Sequence, residues 1–223
     1  MTTALEQRTN MVDSQIRPSD VTDSRIIAAM SAVPREQFVP SALRTLAYAD
    51  QDLQVIARDG KRPARYLLAP RTFAKMLQAA EIDSGDIVLD VGAATGYSTA
   101  VMARIAQTVV GLEEDERHVS QATKALNTHS IDNAVVEQGS LTAGVAAEGP
   151  FDAILLEGAV DLIPDALLDQ LKDGGRLVAI LEEGEVGRGV VVKRSGTSFD
   201  RRVVFDATGP ALPGFQRVAA FEL

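Results

Sequence analysis

Hydrophobic and polar positions change their rhythm along the chain. Up to about Asp52 the sequence is polar, with short helical runs. Ile26, Ile27 and Met30 follow Thr22, Asp23 and Ser24, three good N-caps, so a helix is expected there, ending at Pro34. Pro40 with Ser41-Ala42-Leu43 predicts another short helix. Residues 51–69 have no period. They hold the turn pair Asp59-Gly60 and the cations Lys61, Arg62 and Arg65, and are expected as a solvated loop. From Arg71 the pattern becomes regular. Phe73, Met76, Leu77 and Ala80 fall on one helical face.

Short apolar runs then alternate with helical ones. Strands are expected at 87–91, 108–112, 134–137, 151–156 and 176–181. Helices are expected around Val101, Met102 and Ile105, along Val119, Ala122 and Leu126, and from Pro164 through Leu171 to just before Gly174-Gly175. This alternation predicts an α/β fold, a parallel sheet with helices on both faces. The tail differs. Residues 189–193 and 202–205 flank Ser195-Gly196 like an antiparallel pair, and 217–223 is expected as a last strand. The chain therefore divides into an N-terminal helical and loop extension (1–69), an α/β core (70–181) and C-terminal antiparallel strands (182–223), all within one domain.

Composition narrows the chemistry. The 223 residues are 46% hydrophobic and 24% charged, an ordinary globular balance. Acidic residues outnumber basic ones 31 to 22, a net charge of −9, which argues against a nucleic-acid partner. Cysteine is absent, which removes disulfides, thiolate metal sites and a cysteine nucleophile. His118 and His129 are the only histidines, too few for a multi-histidine metal site. The first ten residues have no apolar core for a signal peptide, and no apolar run reaches the ~20 residues of a membrane span. A cytoplasmic protein is the expectation.

The sharpest local feature is Val88-Leu89-Asp90-Val91-Gly92-Ala93-Ala94-Thr95-Gly96-Tyr97, set between a strand and a helix. Small residues there let a ligand approach the backbone, and the helix start offers free N–H groups. The next strand ends in Glu113-Glu114, where an acid can accept both hydroxyls of a ribose. A dinucleotide binder wants G-x-G-x-x-G to hold a pyrophosphate. Here Gly92, Ala94 and Gly96 are two apart and Asp90 precedes them. Two carboxylates suit an ammonium and a ribose better, which favours S-adenosylmethionine over NAD. A tight strand–helix turn without any ligand is the plain alternative.

At these residues the chain resembles class I S-adenosylmethionine-dependent methyltransferases with a Rossmann-like sheet. More narrowly it resembles the protein-L-isoaspartate O-methyltransferase family. The likeness runs from about Met11 to Ile180 and includes 11–16, 29–30, 47–50, 151–154, 163–171 and 174–178. Its family-specific piece is Val33-Pro34-Arg35-Glu36-Gln37-Phe38-Val39-Pro40. The resemblance implies S-adenosyl-L-methionine as cofactor, held by Asp90, Gly92, Ala93, Ala94, Thr95, Gly96 and Tyr97 around the turn. It also implies Glu113 and Glu114 at the ribose and Gly139, Ser140 and Leu141 near the adenine. The implied acceptors are isoaspartyl carboxylates of damaged proteins or peptides, and the implied role is protein repair.

The sequence departs from the family at several of these places. Ala94 replaces the usual middle glycine, and Ser140 replaces an aspartate. The family's acceptor-site serine aligns with Leu68, beside Leu67, and Glu157 replaces a small or hydroxyl residue at the end of the fourth core strand. The catalytic residue is therefore unassigned, and the implied acceptor pocket is Leu67, Leu68 and Glu157. A different acceptor, or a cofactor-binding protein without turnover, are the alternatives. Arg62 or Arg65 could supply positive charge if their loop folds over the site. Leu68 could equally pack in the core, and Glu157 could face solvent. His118 and His129 are expected at the surface.

Overall fold

The computed structural model describes residues 2–60, 62–184 and 186–217. Helix α1 (Ala4–Met11) starts at a capping box in which Thr3 and Glu6 satisfy each other's amides. It runs on through a wider π turn, Val12–Ile16, that buries Val12 and Ile16. Helix α2 (Ser24–Ala32) is capped by Asp23, which accepts from the Arg25 amide at 2.8 Å. The segment after Pro40 is a 3₁₀ turn, Ser41–Leu46.

The expected loop at 51–69 is instead ordered. Strands β1 (Leu53–Ile56) and β2 (Arg65–Leu67) pair antiparallel, with Leu53 opposite Leu67. Leu53, Val55 and Leu67 are buried, so non-local packing overrides a stretch with little period of its own. Helix α3 (Pro70–Ala80) begins on Pro70, whose missing N–H costs nothing at a helix start.

The core then alternates as expected: β3 (Ile87–Val91), α4 (Tyr97–Met102), β4 (Thr108–Glu113), α5 (Glu116–Thr128), β5 (Ala134–Gln138) and β6 (Phe151–Val160). Helix α6 is a single turn, Asp165–Leu168, and β7 (Leu171–Glu183) follows at once. The longer helix expected here is wrong because Leu171 already pairs with Phe151, and the Phe151 amide bonds the Gln170 carbonyl at 2.7 Å. Its apolar run belongs partly to the sheet. Strands β8 (Val186–Ser195) and β9 (Ser198–Asp206) form the expected hairpin, turning at Gly196 with φ +59°. Arg217 lies outside any strand, and the rest of the strand expected at 217–223 falls outside the described residues.

The sheet order is β5-β4-β3-β6-β7-β8-β9. The first five strands are parallel and the last two antiparallel. One face packs against helices α2, α3, α4 and α5 through Met30, Phe73, Leu77, Val101 and Leu126. The other is covered by α6 and by the non-helical segments carrying Leu141, Leu212 and Phe215. Helices thus lie on both faces, unequally. The reversal of winding falls between β3 and β6, so the crevice above their C-terminal ends is where a ligand belongs in such a sheet.

Candidate cofactor and acceptor site

The glycine-rich turn leaves β3 directly into that crevice. Gly92 and Gly96 both have φ +87°, and Ala94 has φ +50°. An L residue adopts that region at a cost, so Gly92 and Gly96 are required by the backbone. Gly96 also lies against α5, where a Cβ would meet Ala122 at 3.3 Å. Ala93, Thr95 and Tyr97 are buried, and the Ala93 side chain packs onto the sheet beside Gly111.

Two carboxylates flank the turn. Asp90, fully buried, accepts through Oδ2 from Ser98 at 2.7 Å and Thr99 at 2.6 Å, both on α4. Glu113 ends the neighbouring strand and is equally buried. Its Oε1 accepts from the Ala94 amide at 2.8 Å. This places it against the turn.

Arg65 is the larger finding. It is buried, and its Nε sits 3.1 Å from both Glu113 oxygens while Nη2 reaches Glu114 at 3.3 Å. Glu114 itself remains partly exposed. The hairpin β1–β2 carries Arg65 onto Glu113 and sets its charge against that carboxylate. Arg62 stays exposed and pairs with Asp59 and Asp115. Burial raises the Glu113 carboxyl, but His118, Arg65 and the Ala94 amide outweigh it and hold it below its ordinary range. His118 Nδ1 is 3.8 Å from Oε2, beyond hydrogen-bond length, so Arg65 and Ala94 are the close partners. The expected exposure of His118 is wrong, since only 7% of it is accessible. His129 is partly buried as well and stacks on Phe38 at 5.0 Å, its pKa lowered by burial.

The remaining implied residues divide. The Gly139 amide bonds the Glu113 carbonyl at 3.0 Å, which sets the loop after β5 beside the end of β4. Ser140 bonds the Thr142 hydroxyl at 3.0 Å, and Leu141 is buried in the second core. Leu67 and Leu68 are core residues, and the Leu68 carbonyl accepts from Arg35 Nη2 at 2.7 Å. Arg35 is wholly buried, also bonds the Ala47 carbonyl at 2.8 Å, and stacks 4.7 Å over the Tyr97 ring. Sequence reasoning quoted it only as part of the family run.

Glu157 settles inside. It sits at a register break in β6, 8% exposed. Burial raises its pKa well above the ordinary value, the neighbouring Asp90 charge raises it further, and Arg35 pulls it partly back. Burial pushes Asp90 up to about 7, against the two hydroxyls that lower it. Asp90 Oδ1, Glu157 Oε1, Thr95 Oγ1, Tyr97 Oη and Arg35 Nη1 are buried without a hydrogen-bond partner. Buried polar atoms are normally satisfied, so this group is open to a polar ligand.

The raised carboxyls have a stability consequence. Above pH ~4.5 the unfolded chain releases protons that folded Glu157 and Asp90 still hold, so stability falls as pH rises through that window. Glu157→Gln cannot ionise. We expect it to melt close to the parent at pH 5 and at least about 2–4 °C higher at pH 8, equivalent to about 1 kcal/mol or more. Equal melting temperatures at both pH values would place Glu157 in solvent.

A parallel sheet with a glycine-rich first turn, an acid before it and an acid on the next strand defines an α/β nucleoside-cofactor protein of the methyltransferase type. The spacing lacks the turn that a pyrophosphate needs. The family model for protein-L-isoaspartate(D-aspartate) O-methyltransferase matches residues 6–205. The protein-L-isoaspartate O-methyltransferase of Herpetosiphon aurantiacus is 33% identical over 199 residues, 89% of this chain and 86% of its own. That of Koribacter versatilis is 33% identical over 209 residues, 94% and 91% of the two chains. A solved protein-L-isoaspartate O-methyltransferase shares the fold with a TM-score of 0.80 at 24% identity, over 93% of this chain and 66% of that one. A Plasmodium falciparum protein described as a putative protein-L-isoaspartate O-methyltransferase, solved with S-adenosyl-L-homocysteine, gives a TM-score of 0.75 at 20% identity, over 92% and 97%. The chain belongs to the protein-L-isoaspartate(D-aspartate) O-methyltransferase family.

Proposed function

We propose that this chain is an S-adenosylmethionine-dependent methyltransferase acting on L-isoaspartyl carboxylates of damaged proteins and peptides. The observation that carries the reading is the pair Asp90 and Glu113, fixed on either side of the Gly92–Gly96 turn above adjacent parallel strands. When bound, the cofactor supplies an electrophilic methyl group. Glu113 would hold its ribose hydroxyls. Asp90 Oδ1, Thr95 Oγ1 and Tyr97 Oη, all without partners, would take its amino-acid end. Gly139 and Ser140 would lie toward the adenine.

The acceptor needs little help from the protein. A carboxylate with a pKa of ~4 is already an anion at neutral pH, so no general base is required and positioning supplies the rate. The poverty in histidine and cysteine fits this chemistry. Burial raises the Glu157 pKa, and in its protonated form Glu157 would donate a hydrogen bond to an incoming carboxylate rather than repel it. The amide nitrogen of the isoaspartyl linkage can then attack the methyl ester and expel methanol to close a succinimide, which water reopens partly as aspartate; that is the repair. Among the described residues no helix is long and apolar enough to cross a membrane. We place the protein in the cytoplasm, with isoaspartyl proteins as its partners.

The test is transfer of labelled methyl to a peptide pair differing only in an isoaspartyl or aspartyl linkage. Base-labile label in the isoaspartyl peptide alone is the expected result, and no transfer to it at saturating cofactor would overturn the assignment. Leu68 offers a quantitative check. A hydrogen bond to a charged group is worth about 1.5–3 kcal/mol, or about ten- to a hundredfold. Leu68→Ser should raise kcat/KM on the isoaspartyl peptide at least about tenfold, and an unchanged value would remove Leu68 from the acceptor pocket.

A further inference from the structure

The segment after β9 does not leave the molecule. It turns back over the C-terminal ends of β3 and β6. The Ala159 amide donates to the Pro210 carbonyl at 2.9 Å, and the Leu212 amide donates to the Ala159 carbonyl at 2.7 Å. The Asp161 amide donates to the Phe215 carbonyl at 3.2 Å, and the Arg217 amide donates to Asp161 Oδ2 at 2.9 Å. Leu212 and Phe215 are buried.

Leu212 lies on the very glycine that a cofactor would approach. A Cβ on Gly92 would stand 2.8 Å from Leu212 Cδ1. A Cβ on Gly158, at the β6 register break, would stand 2.9 Å from the Pro210 carbonyl oxygen and 3.0 Å from Leu212 Cβ. On the other side, a Cβ on Gly209 would stand 3.4 Å from the Leu68 side chain. Three glycines therefore let this segment seat itself between the turn, β6 and the residue that replaces the acceptor-site serine. Arg65 meanwhile occupies both oxygens of Glu113.

We infer that residues 207–217 form an internal strap that, with Arg65, occupies the cofactor and acceptor volume. S-adenosyl ligands bind only to the fraction of molecules in which Leu212 has left Gly92 and Arg65 has left Glu113. The inference rests on the cofactor reading above. Both movements are open to the chain. The strap is tied down by a few backbone hydrogen bonds and two apolar side chains. Arg65 adjoins a groove of about 470 Å³, lined also by Arg62, Glu114, His118 and Gln138, into which its guanidinium can swing. The unpartnered Asp90, Glu157, Thr95 and Tyr97 atoms are consistent with this picture, since Leu212 and Phe215 bring only apolar side chains to polar surroundings.

A ligand whose competent state is a minority binds with its affinity reduced by that fraction. Leu212→Ala, in the full chain, should loosen the strap and tighten the calorimetric Kd for S-adenosylhomocysteine by about tenfold. In the parent protein, the same ligand should speed hydrogen exchange of the Leu212, Ala159 and Asp161 amides, because they lose their partners. The exchange measurement does not depend on the variant folding. Binding with an unchanged Kd in Leu212→Ala and unchanged exchange in the parent would overturn the strap while leaving the cofactor reading intact. No binding to either protein would overturn both.

Discussion

Replacing Glu113 with alanine is expected to remove about 3–5 kcal/mol of folding stability, the usual cost of leaving one member of a buried ion pair behind. Arg65 is 3% exposed and Glu113 is wholly buried, so the pair lies out of water. The variant strands its guanidinium beside the partly exposed Glu114 and frees the Ala94 amide as well. Urea unfolding measures the loss, and the Glu113→Ala/Arg65→Ala double variant should recover part of it. A loss below about 1 kcal/mol would mean that the pair behaves as an exposed one.

Arg35 carries the second large effect. Its guanidinium bridges three parts of the chain that are distant in sequence. It takes the Ala47 carbonyl, the Leu68 carbonyl and the face of Tyr97 at the start of α4. Burial lowers its pKa, so the site strains against its charge, with Tyr97, Glu157 and Asp52 offsetting it. Arg35→Ala leaves two buried carbonyls unpaired and a cavity beside Tyr97. Each unpaired carbonyl costs about 1–3 kcal/mol, so a combined loss of about 3–5 kcal/mol is expected in urea unfolding. Arg35→Lys should recover little, because an ammonium cannot fork between Ala47 and Leu68. Full recovery by lysine would show that charge alone matters there.

How much of this was legible depends on how local each feature is. The Asp90–Tyr97 turn and Glu113 were readable because strand, turn and helix are contiguous, and adjacent parallel strands bring their ends together. The β1–β2 hairpin was not, since Asp59-Gly60 marks a turn but the short runs 53–56 and 65–67 on either side of it carry too little period to read as strands. Leu168 and Leu171 could serve a helix or a strand, and only pairing with Phe151 decides. Arg65 and His118 carry charge or polarity, which points to solvent by default, and Arg65 lies inside because Glu113 meets it there. Glu157 was visible as an odd residue, but its side could not be read until β6 broke register there. Residues 207–217 have no period at all. Their glycines and prolines read as a tail, while their role comes from fitting Gly92 and Gly158, which lie far back in the chain.

The central claim is that the Gly92–Gly96 turn, with its two acids, is the cofactor site. Gly96→Val tests it most directly. Gly96 holds φ +87° and faces Ala122, so a side chain there distorts the turn without touching the sheet core. Calorimetry with S-adenosylhomocysteine should show one site per chain in the parent and no detectable binding in Gly96→Val, with circular dichroism confirming that the variant is folded. Equal binding by both folded proteins would contradict the account.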